Sequence, residues 1–427
     1  MRRPVRTAAV LAVAALALAA CGRSADTGGS GQAQGSEPIA EGPATGTIDV
    51  WAMGTEGEAL GDFAKAFQEE NPKATVNVTP VPWEAAHNKL ASAIAAGKTP
   101  DVSLIGTTWM GEFAAAGGLA PTPQGLVEPT SFFQGAWESS VVDGTSYGVP
   151  WYVDTRALFY RTDLAQQAGW DAPPESWEEL QQFAADLQTK AGVEHGIYLQ
   201  PGQTGSWQTV LPFAWSNGAE LFDGEQYTID TEPAAEALEY YKSFYDKGLS
   251  PTRMLEPGAL EQGFVDGTYG SFINGPWYTG LIEDIGGQAI ADKYAVAPVP
   301  APDGGMGTSF VGGGNMAVFD TADNKEAAWK FVAWLAQPDV QQQWYETVGG
   351  LPSVKAAWES GALAKDPRLK VFGDQLTKTV APPTVPTWEQ VAAVLDSDIE
   401  KAVRGAAPVG EALSHTQQRA QSIGTGF

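Results

Sequence analysis

The amino-acid sequence predicts an α/β fold, and three observations carry that prediction. Short apolar runs alternate with amphipathic helical stretches from Thr47 to Ile105. A second α/β region runs from Ala157 to Phe319, and from Asn324 onward the chain reads as consecutive helices. Strand–helix alternation argues for a parallel layer, which places ligand loops at the carboxyl ends of strands. With 427 residues, at roughly 100–200 per domain, there is room for two or three domains.

Thr47 to Met53 is strand-like. Leu60, Phe63, Ala64 and Phe67 then form the stripe of an amphipathic helix, stopped at Asn71-Pro72. Ala74 to Val81 is a second strand, Trp83 to Ala96 a helix, and Pro100 to Ile105 a third strand. The first strand ends at Gly54-Thr55-Glu56 and the third at Gly106-Thr107-Thr108-Trp109. Ala157 to Tyr160 reads as a strand. Ser176 with Glu179 makes a capping box before a helix over 177–190. Ala234 to Lys247 is helical, Tyr269 to Ile273 is a strand, and Asn274-Gly275-Pro276-Trp277 opens a helix. Phe310 to Phe319 is a glycine-bearing strand. The helical tail comprises 325–336, 339–347, 366–377, 387–404 and 409–422.

The N-terminus carries a different signal. Arg2, Arg3 and Arg6 precede the apolar run Ala8 to Ala20. The run falls short of the about 20 residues that span a bilayer and suits a signal-peptide core. It ends in Leu18-Ala19-Ala20-Cys21, which resembles the bacterial lipoprotein box, where the thiol takes a diacylglyceryl group. Cys21 is the one cysteine in the chain. Residues 1–20 are therefore expected to be a leader and Cys21 a lipid anchor. The Gly-, Ser- and Pro-rich stretch up to residue 45 is expected to be a flexible tether. The protein would sit on the extracytoplasmic face of the cell membrane.

Composition removes several functions. Lys and Arg number 25 against 51 Asp and Glu, a formal charge of -26. Such a chain repels nucleic acid. One cysteine and three scattered histidines leave no metal cluster and no Cys nucleophile pairing, so no metal or cofactor is expected. Gly144-Thr145-Ser146-Tyr147-Gly148 fits the G-x-S-x-G pattern but reads as a hairpin turn, without the strand-to-helix context of a nucleophile elbow. Gly312-Gly313-Gly314 runs on into strand, so a dinucleotide site is not expected. The fifteen tryptophans divide in two. Trp329, Trp334, Trp344 and Trp358 suit helix packing. Trp51, Trp109, Trp151, Trp207, Trp277 and Trp388 fall at strand ends, loop tips or helix starts, where an indole can offer its face to a sugar ring.

Four stretches resemble the extracellular solute-binding proteins of bacterial ABC importers, of the maltose/trehalose type. They are Val50-Trp51 to Glu56, Pro100-Asp101-Val102 with Thr107 to Phe113, Tyr147 to Leu164, and Ile273 to Trp277. The resemblance implies a two-lobed clamp, like the periplasmic binding proteins, with an interlobe hinge and a helical C-terminal tail. The chain would cross near Val153–Arg156 and near Phe310–Gly313. Lobe 1 would comprise 46–153 with about 312–350, and lobe 2 would comprise 154–311 with about 351–427. Ligand-binding residues implied are Thr55, Glu56, Thr108, Trp109, Trp151, Asp154, Trp207, Asn274, Trp277, Gly313 and Trp388. Maltose-binding relatives commonly carry Asp and Arg where Thr108 and Trp109 stand. The implied function is capture of a di- or oligosaccharide, such as the α-glucoside trehalose, for an ABC permease. The protein would act as a monomer and not as an enzyme. The alternatives are a glycoside hydrolase, for which Glu56 and Asp154 are the available carboxylate pair, and a binding protein of this fold for a peptide or polyamine.

Overall fold

The computed structural model describes residues 36–427, so the leader, Cys21 and most of the expected tether lie outside the described residues. The strands are β1 (Thr45–Met53), β2 (Lys73–Val81), β3 (Val102–Gly106), β4 (Val141–Val142), β5 (Thr145–Ser146) and β6 (Val149–Thr155). They continue with β7 (Ala157–Arg161), β8 (Ser271–Asn274), β9 (Tyr294–Ala297), β10 (Ser309–Val318), β11 (Leu351–Pro352) and β12 (Thr379–Val380). The larger sheet has the order β11-β6-β10-β3-β1-β2, with β12 beside β10. β1 pairs parallel with both β2 and β3, as the alternation predicts, whereas β10 runs antiparallel to β3 and β6. The smaller sheet, β8-β7-β9, is antiparallel.

Side-chain periodicity explains how each sheet is covered. The helix Gly54–Glu70 buries Gly57, Leu60, Ala64 and Phe67 against the larger sheet. A Cβ on Gly57 would fall 2.3 Å from the Ala52 carbonyl oxygen, so only glycine lets the first turn close onto the strand end. Helices Lys325–Leu335 and Pro338–Val348 complete this first core. On β7 successive residues separate, as strand geometry requires. Leu158 and Tyr160 enter a second core with helices Trp177–Thr189, Trp207–Ser216, Glu232–Asp246, Trp388–Val403 and Val409–Ile423. Ala157 and Phe159 enter a third, with helices Ala259–Asp266, Tyr278–Gly286 and Pro367–Leu376. The smaller sheet is thus covered on both faces, and the molecule is a two-lobed α/β clamp. Arg156 alone separates β6 of one sheet from β7 of the other.

Local signals resolve as follows. Ser176 Oγ accepts the Glu179 N–H at 3.2 Å, while the Glu179 carboxylate accepts from the N–H of Glu175 rather than of Ser176, one residue off the reciprocal box. Asp143 and Gly144, with φ of 46° and 72°, turn β4 into β5, which makes the G-x-S-x-G stretch a hairpin. The helical tail divides among the three cores. Leu351 and Pro352 pair with β6, and Val354 sits in the first core.

The expected tether also ends earlier than residue 45. Ser36 N–H donates to the Thr122 carbonyl at 3.1 Å, its carbonyl accepts from Gln124, and its hydroxyl donates to the Pro121 carbonyl at 3.0 Å. Ile39 packs on the first core and Ala44 is fully buried within it. Polar composition masked a segment held mainly through its backbone. Deleting residues 36–40 removes three hydrogen bonds that contribute about 0.5–1.5 kcal/mol each. The melting temperature should fall by several degrees, and calorimetry on the deletion variant checks it. An unchanged melt would show that these contacts contribute nothing.

Candidate functional site

A cavity of about 240 Å³ opens between the lobes. Its lobe 1 wall comes from Trp83, at the start of the helix after β2, and from Thr108 and Trp109, just beyond β3. The rings of Trp83 and Trp109 meet edge to face, 5.6 Å apart. Gln208, in the first turn of helix Trp207–Ser216, and Phe310 supply the lobe 2 wall. Tyr152, Asp154, Gly312 and Gly313, all on the two crossing strands, form the floor.

Each indole near the cleft lies on a glycine at the carboxyl end of a strand. A Cβ on Gly54 would stand 2.9 Å from the Trp83 ring, and one on Gly106 would stand 3.3 Å from Trp109. On Gly275 it would overlap Trp277, at 1.9 Å. Trp277 is 45% exposed. Gly312 is held open in the same way, since a Cβ there would approach both Asp154 carboxylate oxygens to 2.8 Å.

Charge gathers around Asp154, beside the cavity. Arg156 Nη1 donates to Asp154 at 2.7 Å, and Nη2 donates to Gln208 Oε1. The guanidinium lies 5.0 Å from the Trp277 ring centre and 5.2 Å from that of Phe310. Ser309 ties the Arg156 backbone through both its N–H and its carbonyl. Glu56 sits in the first turn of helix Gly54–Glu70. Burial raises its pKa, and the nearby Asp154 charge adds to the rise against hydrogen bonds from the backbone and Thr55. Burial, then the Glu56 and Asp154 charges, push the Tyr152 phenol well above its ordinary value, so it stays a donor. Burial likewise raises Glu389, against side-chain hydrogen bonds from Thr108 and Trp109.

Several expected site residues therefore meet. Thr108, Trp109, Asp154 and Gly313 line the cavity. Glu56 lies beside it, with the Thr55 hydroxyl donating to its carboxylate at 3.3 Å. Trp277 flanks Arg156, and Asn274 accepts the Gly275 N–H at 2.9 Å. Three expected residues are core instead. Trp151 alternates with Tyr152 and Asp154 on β6, so it faces away from the cleft and packs 4.6 Å from Trp344. Trp388, at 0% exposure, and Trp207 pack edge to face 5.2 Å apart, with Trp207 behind Phe310. Trp51 carries the Lys89 ammonium 4.0 Å over its ring. The sequence reading passed over Trp83, Tyr152, Arg156, Gln208, Phe310 and Glu389. Tyr152 and Arg156 were within reach of it, two residues either side of Asp154 in the sequence.

A cleft of indoles, hydroxyls and paired charges between two α/β lobes, spanned by crossing strands, defines the class of two-lobed solute-binding proteins. The chain belongs to the bacterial extracellular solute-binding protein family, whose model matches residues 62–371. It is 30% identical over 381 residues to a binding protein of Brucella abortus, covering 85% of this chain and 89% of that one. It is 29% identical to the diacetylchitobiose binding protein DasA of Streptomyces coelicolor, over 92% of this chain and 91% of the relative. The solved structure of the sugar-binding protein MalE from Xanthomonas citri superposes with a TM-score of 0.83 at 32% identity, covering 88% of this chain and 97% of that chain.

Glu56 yields a test with a defined sign. A folded-state pKa raised above the ordinary value means that its contribution to stability is full below about pH 4.3. That contribution is lost as pH rises through the raised value. Glu56→Gln keeps the shape without the charge. It should melt higher than the wild type at pH 7, with the difference vanishing near about pH 3. A variant that melts lower at pH 7 would show that the ionised carboxylate stabilises the fold.

Proposed function

We propose that this protein captures a di- or oligosaccharide between its lobes and delivers it to an ABC-type permease, working as a monomer held on the extracytoplasmic face of the membrane through Cys21. The observation that carries the sugar reading is the pairing of Trp83 and Trp109 on one wall with Tyr152 and Asp154 on the floor. Indole faces suit the C–H face of a pyranose ring, and the floor groups suit its hydroxyls. Two of the relatives are themselves described as binding sugars. Binding rather than turnover is the reading the Arg156–Asp154 ion pair supports, since it ties up half of the carboxylate pair available to a hydrolase. We assign lobe 1 to residues 46–153 with about 312–354, and lobe 2 to 154–311 with about 355–427, following the sheets and cores.

A thermal-shift screen against a sugar panel tests this, with α-glucosides such as trehalose first. A ligand at 100 times its dissociation constant stabilises by about 2.7 kcal/mol. If no sugar moves the melt, the reading fails. Within a binding series, Trp277→Ala should weaken affinity about ten- to a hundredfold with little loss of stability, since Trp277 is exposed. Normal binding with a much lower melt would place Trp277 in the core. Asp154→Asn is a poorer probe, because it strands a buried guanidinium and costs about 3–5 kcal/mol of stability.

Anchoring has its own test. Lipid attachment needs the Cys21 thiol, and two acyl chains give stable membrane association at about 0.8 kcal/mol per buried CH₂. Cys21→Ala should leave the membrane fraction or remain uncleaved. Unchanged fractionation, with leader removal intact, would rule out the lipid anchor.

A further inference from the structure

A second cavity, of about 670 Å³, shares no lining residue with the cleft. One wall is the end of helix Gln134–Glu138 and the turn between β4 and β5. Another is the end of helix Trp207–Ser216 with the loop that follows it. The segment 380–385 joins them, and its Thr384 hydroxyl donates to the Val141 carbonyl of β4 at 2.7 Å. The volume lies within the about 300–1,000 Å³ of small-molecule sites and exceeds that of the cleft.

The lining sorts into apolar surface and negative charge. Trp215, Leu221, Phe222, Pro382 and Val385 supply the apolar part. Trp215 is only 8% exposed, yet its indole N–H donates to no group among the described residues. Glu138, Asp143, Glu220 and Glu225 are the exposed rim, and no Lys, Arg or His lines the cavity. Glu138 accepts one hydrogen bond, from Gln134 at 2.7 Å, and none of the four carboxylates is in an ion pair among the described residues. An anion would be repelled by this rim. A cation is attracted by it, and the face of an aromatic ring attracts a cation as well. A buried indole N–H calls for an acceptor. We propose that this cavity is a second binding site, for an organic ammonium ion with an apolar body and one hydrogen-bond acceptor. The head lies against the aromatic wall and the rim carboxylates, and the acceptor takes the Trp215 N–H. The site does not depend on the sugar reading of the cleft.

Choline is the probe, a trimethylammonium head with one hydroxyl. Its tert-butyl isostere has the same shape without the charge, and ethyltrimethylammonium lacks only the hydroxyl. Titration calorimetry should show saturable one-to-one binding of choline, with the isostere at least about tenfold weaker. Ethyltrimethylammonium should bind the wild type more weakly than choline, and Trp215→Phe should remove that difference. Phe222→Leu keeps apolar bulk and loses the ring, and Glu220→Gln with Glu225→Gln loses rim charge. Each should weaken choline about threefold or more. The two glutamates are exposed, so their double variant should melt as the wild type does. Absence of saturable binding, equal affinity for choline and its isostere, or unchanged affinity in both the Phe222 and the glutamate variants overturns the proposal. If Trp83→Ala abolishes choline binding and Phe222→Leu does not, the cation occupies the cleft and the proposal falls as well.

Discussion

In β6 successive side chains leave opposite faces, and the clamp depends on that alternation. Tyr152 and Asp154 enter the cleft, while Trp151 and Val153 enter the cores behind it. Three residues after Asp154 the chain has already joined the smaller sheet. The floor of the cleft and the crossing between lobes are thus the same few residues, fixed by ladder hydrogen bonds to β10. A slip of one residue would exchange indole for carboxylate and ruin both core and cleft. The covalent path between lobes cannot change without changing what the ligand meets.

The cleft is assembled at a cost to the fold. Burial makes ionisation of Glu56 and Glu389 unfavourable, and both sit where the lobes approach. Asp396 is buried too and its carboxyl raised, yet it accepts the Gly205 and Trp207 N–H groups and the Ser206 hydroxyl. Those contacts fix the helix start that carries Gln208, which in turn holds Arg156. A polar chain therefore runs from the tail helix Trp388–Val403 to Asp154. The tail that reads as simple packing also orients the floor.

Much of this fold was legible because its signals are local. The stripe Leu60, Ala64, Phe67, the Ser176 cap and the Asp143-Gly144 turn each depend on neighbours within a few residues. The antiparallel insertion of β10 between β3 and β6 was not, because it pairs residues far apart in sequence. The site divides in the same manner. Asp154 and Trp109, expected from their places at strand ends, line the cavity, and Trp277 stands beside Arg156. Trp151, Trp207 and Trp388 stand at similar ends but point inward, because strand phase and helix rotation, rather than position, decide direction. Gln208 gave no signal of its own, since its role comes from Arg156 across the fold. The residues 36–44 looked like a linker because backbone bonds, such as those of Ser36, leave no mark in composition.

Gly54, Gly106 and Gly275 lie beneath Trp83, Trp109 and Trp277. Each pair is coupled, because a side chain on Gly54 or Gly275 would displace the ring above it and one on Gly106 would press on Trp109. Divergence in ligand preference is therefore channelled. The rings and their glycines can change only together, through intermediates that lose a wall of the cleft. Thr55 and Thr108 lie under no such glycine restriction, and each touches the cleft only through a hydroxyl. Descendants of this sequence would keep the same aromatic frame and re-read the hydroxyl pattern of the ligand within it.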